Sequence, residues 1–186
     1  MIEIDGSVYE GGGHTVRIGV ALSVITNRAA TIRNVRAGRP KPGLSNQHLA
    51  GINLVNVMTE GAVTDLNMQN PQIGTEALVI QPKITSVDRR EFEIDAKTAG
   101  SISLIAQIAL PILIYRGHIG SDIKLSIKGG TDADFAPPVK IQKLVFTKLL
   151  KKFGINIEVE EKRNGFFPIG KDIVTNYIFC LDNEVI

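Results

Sequence analysis

Residues 10–35, EGGGHTVRIGVALSVITNRAATIRNV, decide how the rest of the chain is read. The run Gly11-Gly12-Gly13 cannot belong to the interior of a helix or strand, so it marks a turn. After it, Val16, Val20, Leu22 and Val24, with alanine and glycine between them, give one broad apolar face. That pattern predicts a helix from about His14 to Ile25. Ala30 to Val35 is rich in β-branched residues and reads as a strand. Upstream, Ile2 to Ile4 is a short apolar strand. Downstream, Pro40, Pro42 and Gly43 mark a loop. Ser45 can cap a second helix that runs to Thr59, where Leu49, Ile52 and Val55 recur at helical spacing. Strands near Ala62–Leu66 and Ala77–Ile80 complete the unit.

The second half replays this order. A strand at Glu91–Ile94 alternates charged and apolar residues. Thr98, Gly100 and Ser101 open an apolar helix that runs through Tyr115. Asp122–Ile127 alternates again, and the loop from Gly129 to Pro138 leads into a helix from Val139 to Phe153. In that helix Ile141, Leu144, Val145, Leu149 and Phe153 are expected to face inward, with Lys140, Lys143, Lys148, Lys151 and Lys152 outward. Gly154 suits the residue that follows a helix end. Strands at Ile155–Glu160 and Ile173–Phe179 finish it. The expected fold is therefore α+β, built from tandem βαβαββ units at 1–90 and 91–186. Each would be a small sheet with two helices packed on one face.

Composition narrows the classes of function. The chain has 186 residues, a net charge of +2 and one cysteine, Cys180. The charge does not by itself announce a nucleic-acid binder. A single cysteine allows no internal disulfide, which suits a reducing, cytoplasmic setting, and Cys180 is expected to be buried. The acidic start, Met1 to Asp5, lacks the basic and apolar regions of a signal peptide. The longest apolar stretch, Ile102–Tyr115, is interrupted by Gln107 and Pro111 and is shorter than the ~20 residues a membrane span needs. No membrane partner is expected. His14, His48 and His118 show no metal-ligand spacing, and neither a Walker A sequence nor a dinucleotide fingerprint is present.

Four motifs could carry chemistry. In Glu10-Gly-Gly-Gly-His14-Thr-Val-Arg17, glycine amides at a helix N-terminus can approach an anion, and Arg17 lies one turn further on. Glu10 could hold a metal ion or accept a proton from a ribose hydroxyl. In Arg33-Asn-Val-Arg36-Ala-Gly-Arg39-Pro-Lys-Pro-Gly-Leu44, followed by Gln47-His48, Arg36 and Arg39 present planar forks suited to phosphate oxygens. Thr98-Ala-Gly-Ser101 precedes Gln107, whose amide inside an apolar helix needs partners. Gly129-Gly-Thr-Asp132 comes before Ala136-Pro-Pro138. Each motif also has a plain use: a flexible turn, a solvated basic loop, a hydrogen bond across the core, an ordinary connection.

Taken together and in order, these motifs resemble the RNA 3′-terminal phosphate cyclase family. The matching residues are EGGG with Arg17, IRNVRAGRPKPGLSNQHL from Ile32 to Leu49, TAGS with Gln107 and Leu110-Pro111, GGTD with Ala136-Pro-Pro138, and Asn164-Gly-Phe166 with Pro168. The family's larger domain is built from βαβαββ units. The resemblance implies an ATP-dependent reaction in which a histidine takes AMP from ATP. The AMP passes to an RNA 3′-phosphate, and the neighbouring 2′-hydroxyl closes a 2′,3′-cyclic phosphate. It places Glu10, Arg17, Arg36 and Arg39 at catalytic positions and Gln47 and Gln107 at ATP. It also implies a divalent metal, Mg or Mn, with Glu10 as a ligand, and RNA 3′-ends as partners.

The chain departs from the family at His14, where glutamine is usual. Family members are also much longer and carry the nucleophilic histidine in a C-terminal segment. The sequence after Phe167-Pro168, Ile169-Gly-Lys-Asp-Ile173, does not continue the family's pattern. A truncated and inactive cyclase, self-associating through exposed apolar surface, is therefore expected. The alternative is a non-catalytic, cyclase-like RNA-binding or RNA-processing protein.

Overall fold

A computed structural model describes residues 1–9, 11–83, 89–116, 122–161 and 174–181; within the last segment only the side chain of Thr175 is described. The chain divides into two compact units, Met1–Thr85 and Ser86–Ile186. The first runs β1 (Ile2–Asp5), α1 (Gly13–Thr26), β2 (Ala30–Arg33), α2 (Asn46–Thr59), β3 (Val63–Asp65), β4 (Leu78–Ile80). The second runs β5 (Glu91–Asp95), α3 (Ile102–Arg116), β6 (Asp122–Lys128), then a helix of three parts, β7 (Ile155–Glu161) and β8 (Val174–Leu181). Those parts are α4 (Val139–Ile141), a π-helical segment (Gln142–Phe146) and α5 (Thr147–Lys151). The α+β class and the βαβαββ order expected from the sequence are both present.

The two sheets share one topology. Their orders are β1-β2-β4-β3 and β5-β6-β8-β7. The first pair is parallel in each, as a strand–helix–strand crossover requires, and the other pairs are antiparallel. Register explains the core of the first unit. Ile4 pairs with Ile32 and Ile32 with Leu78, while Ala30 pairs with Ile80 and Ile80 with Val63. Paired residues share a face, so these side chains form one apolar surface under the helices. Helix α1 comes closest at Gly19, where an added Cβ would lie 3.0 Å from Ile32 Cδ1 and 3.2 Å from Ile4 Cδ1. In the second unit Phe92, Leu125 and Val159 are buried, while their neighbours Glu91, Glu93, Lys124 and Glu158 are exposed. That alternation marks one wet face and one dry face.

Three local expectations are corrected. Leu22, expected on the apolar face of α1, is 54% exposed. It lies two residues from Val20, which is about 200° around the helix. Strand β2 ends at Arg33 rather than Val35. Asn34 takes a left-handed φ of 55°, and its side-chain amide donates to Asp5 Oδ1 at 3.1 Å, which turns the chain out of the sheet. In the helix from Val139, the residues expected to face inward are exposed: Ile141, Leu144, Val145 and Leu149, as is Phe153 beyond its end. No residue from Lys140 to Phe153 is buried, so the apolar and the basic faces of this helix are both left uncovered among the described residues. Val139 is buried, and its N–H donates to Thr131 O at 2.9 Å. Cys180, His118 and the Asn164–Pro168 motif lie outside the described residues or side chains.

Candidate anion-binding site

Helix α1 begins without a side-chain cap. Gly12 is its N-cap and offers none, so the amides of the first turn point out of the helix end. Gly11, at φ 55°, bends the chain into the helix. An added Cβ there would lie 3.2 Å from Gly6 O and 3.7 Å from Gly38 N, so the run is held against two loops. Asp5 ties the same two loops together. Its Oδ1 accepts from Ser7 N at 2.9 Å, from Ser7 Oγ at 2.7 Å and from Asn34 Nδ2 at 3.1 Å.

The loop after β2 delivers the arginines. Arg36 takes a left-handed φ of 55°, and its Nη1 donates to Gly43 O at 2.6 Å. Gly43 N donates back to Val35 O at 2.7 Å. Leu44 N donates to Thr75 O at 3.0 Å and Gly74 N to Leu44 O at 2.9 Å, which fixes the loop against residues 72–76. Arg39 is exposed, and its Nη2 lies 4.0 Å from the position of a Cβ on Gly12. Arg36 is half-buried; burial and the nearby charge of Arg39 both weaken its hold on its proton. Arg17, one turn into α1, is likewise shifted down by burial. Arg33 is drawn off by Glu3, 3.4 Å away on β1.

His48 completes the cluster, although the sequence motifs assign it no site role. It is 7% exposed, and its Nε2 abuts the Cα of Gly13 so closely that no Cβ fits there. Ser45 N donates to His48 Nδ1 at 3.3 Å, and Ser45 Oγ lies 2.6 Å from the same atom. An acceptor at Nδ1 puts the proton of the neutral ring on Nε2. That N–H is buried and has no hydrogen-bond partner among the described residues. Burial first, then the charges of Arg17 and Arg36, pushes its pKa down to about 4. The ring is thus neutral at pH 7, and three guanidinium groups gather around one helix N-terminus. Such an arrangement attracts a multiply charged anion.

His48 also predicts a pH dependence of stability. Its folded value, about 4, lies below the ordinary 6.5. The stability it supplies is complete above pH 6.5 and declines as pH falls toward 4, because the unfolded chain takes the proton first. The shift corresponds to about 3 kcal/mol. Urea unfolding of wild type should show that loss between pH 7.5 and 4.5, and His48→Gln should remove most of the slope.

Of the other expected site residues, Glu10 lies outside the described residues. Gln47 stands in the first turn of α2, next to His48, and is half-buried. Gln107 belongs to α3 in the second unit and is exposed, not enclosed in the apolar core. The Thr98–Ser101 and Gly129–Asp132 motifs meet each other. Gly130 N donates to Gly100 O at 2.9 Å and Ile102 N to Gly130 O at 3.0 Å. A Cβ on Gly129 would lie 2.5 Å from Gly100 O, and one on Gly130 2.6 Å from Ala99 O. Ser101 Oγ accepts from Leu104 N at 3.3 Å. The start of α3 is therefore capped by its own neighbours, whereas the matching start of α1 is uncapped and ringed by cations.

Comparison with known proteins agrees with the motif order. The family model described as RNA 3′-terminal phosphate cyclase matches residues 8–180. The chain belongs to the RNA 3′-terminal phosphate cyclase family. A relative from Archaeoglobus fulgidus, named RNA 3′-terminal phosphate cyclase, is 42% identical over 94% of this chain and 50% of its own length. One of the same name from Metallosphaera sedula is 41% identical over 96% of this chain and 50% of its own. One from Drosophila melanogaster is 37% identical over 92% and 45%. The chain spans about half the length of the curated cyclases it matches. The cationic junction of the first unit lies within the matched region of this cyclase-family chain.

Proposed function

We propose that this chain carries the phosphate-holding part of the ATP-dependent conversion of an RNA 3′-phosphate to a 2′,3′-cyclic phosphate, that its first unit holds the phosphate being converted, and that without the nucleophilic histidine of the longer relatives it does not complete the reaction alone. The observation that carries this is the convergence of Arg17, Arg36 and Arg39 on the uncapped end of α1. In the reaction, AMP from ATP joins the terminal phosphate with loss of pyrophosphate. The 2′-hydroxyl then attacks the same phosphorus, and AMP leaves. Three guanidinium groups neutralise charge that builds on that phosphorus, and stabilisation of this kind supplies most of the acceleration in such transfers. Glu10, two residues before the cradle, is proposed to accept the proton of the 2′-hydroxyl. Gln47 and Gln107 are proposed to contact ATP.

Use of ATP follows from membership of the family. A divalent metal, Mg or Mn, would need ligands beyond those in view. Among the described residues no three His, Cys, Asp or Glu side chains come together to hold one. No step is therefore assigned to it. No helix among the described residues is long and apolar enough to cross a membrane. A cytoplasmic location fits a chain with a single cysteine. Self-association into a homo-oligomer through exposed apolar surface is part of the same proposal, and Leu144, Val145 and Leu149 are among the exposed apolar residues.

Arg39 gives the test. It is exposed, and its side chain makes no hydrogen bond or ion pair with another described residue, so its removal should leave the fold intact. Arg39→Ala should weaken binding of a 3′-phosphorylated oligoribonucleotide about tenfold, and the slope of log affinity against log salt should fall by about one. Unchanged affinity and slope would place the RNA end elsewhere.

A further inference from the structure

Tyr9 is 99% exposed and holds a left-handed φ of 57°. Both features are unfavourable in the folded chain. A tyrosine in that region of backbone space is strained, and a ring in water gains nothing from burial. The turn that imposes the strain is closed by Gly11 N donating to Val8 O at 3.2 Å. The side chain of Tyr9 makes no hydrogen bond or ring contact with another described residue. Phe135 in the second unit is equally exposed, at φ 58°, but its loop carries Asp132 and Asp134 and no cation. What sets Tyr9 apart is its place, two peptide steps before Gly11, so that the two Cα atoms lie at most about 7 Å apart.

We infer that Tyr9 is a stacking platform for the terminal nucleobase of a single-stranded RNA whose 3′-phosphate sits at Gly12–Gly13. The inference rests on the phosphate reading of the arginine cluster. It adds the group that would tell a nucleotide end from any other phosphate. An aromatic face accepts every base, and larger bases overlap it more, so it favours a purine end without reading sequence. The spacing suits the ligand: the base is separated from its own 3′-phosphate by one sugar, and the Cα of Tyr9 lies three peptide steps from that of Gly12, at most about 11 Å away. The strained backbone keeps the side chain out of the protein and available to the base.

Two variants test this without threatening the fold. Tyr9→Gly fits the left-handed backbone at no steric cost, and Tyr9→Phe keeps the ring. The probes are trinucleotides with a 3′-phosphate ending in adenosine or uridine, and sulfate alone. Titration calorimetry reads the affinity of wild type and both variants for every probe, and any quenching of tyrosine emission in wild type that is lost in Tyr9→Phe assigns the stacking to Tyr9 among the three tyrosines. Tyr9→Gly should bind the adenosine-ended probe about tenfold more weakly. Tyr9→Phe should bind within about twofold of wild type. The preference for adenosine over uridine should vanish in Tyr9→Gly, and sulfate affinity should not change. If Tyr9→Gly binds both trinucleotides as wild type does, the platform is refuted while the phosphate site stands. If wild type binds neither sulfate nor RNA, the phosphate site fails and the platform with it.

Discussion

Gly43→Ala is expected to cost about 3 kcal/mol and about 10 °C of thermal midpoint, although it adds only one methyl group. Gly43 has φ +74°, and an added Cβ would fall on the backbone of Gly74. Two backbone segments cannot yield as a side-chain tip can, and the positive φ adds about 1–2 kcal/mol of its own for an L-residue. The damage should reach the site, because Gly43 O is the acceptor that positions Arg36. Gly61→Ala is the control. Its φ is +91°, but nothing lies within 4 Å of the new Cβ, so only the φ cost applies. Thermal denaturation of the two variants should separate them clearly. Equal midpoints would mean that contact between Gly43 and Gly74 contributes nothing.

Gly13→Ala should destabilise by about 2 kcal/mol, although alanine in a helix is normally better than glycine by about 1 kcal/mol. The new methyl group would coincide with the imidazole of His48. Gly19→Ala, in the same helix, meets only the flexible ends of Ile4 and Ile32, so it should be nearly neutral. Combining Gly13→Ala with His48→Ala removes the obstacle, and the double variant should be more stable than the sum of the two single effects. Urea unfolding measures all four variants. Strict additivity would show that Gly13 and His48 do not share the same space.

The order of elements is legible in the sequence because the hydrophobic period switches clearly between about 2 and 3.6 at each boundary. Glycine and proline also punctuate the loops. The basic loop is visible as composition, but its geometry is not. It depends on left-handed Asn34 and Arg36 and on the approach of Gly43 to Gly74, which no periodicity reports. Gln107 reads as a core residue because α3 is apolar nearly all round, so the pattern gives no direction to one polar side chain. The Val139–Lys151 helix misleads for another reason: periodicity tells which residues share a face but not whether anything covers that face, and here nothing from Lys140 onward is buried. His48 looks like one histidine among three. The signal that could have found it is Ser45 three residues earlier, the spacing of a helix-capping pair, which fixes the ring over Gly13.

The central claim is that the cluster at the start of α1 binds the terminal phosphate of an RNA. The most direct measurement compares one oligoribonucleotide with a 3′-phosphate and the same strand with a 3′-hydroxyl, at fixed salt. Charge-assisted contacts from three guanidinium groups should make the phosphorylated end bind at least about tenfold more tightly. Equal affinities for the two ends would contradict the claim.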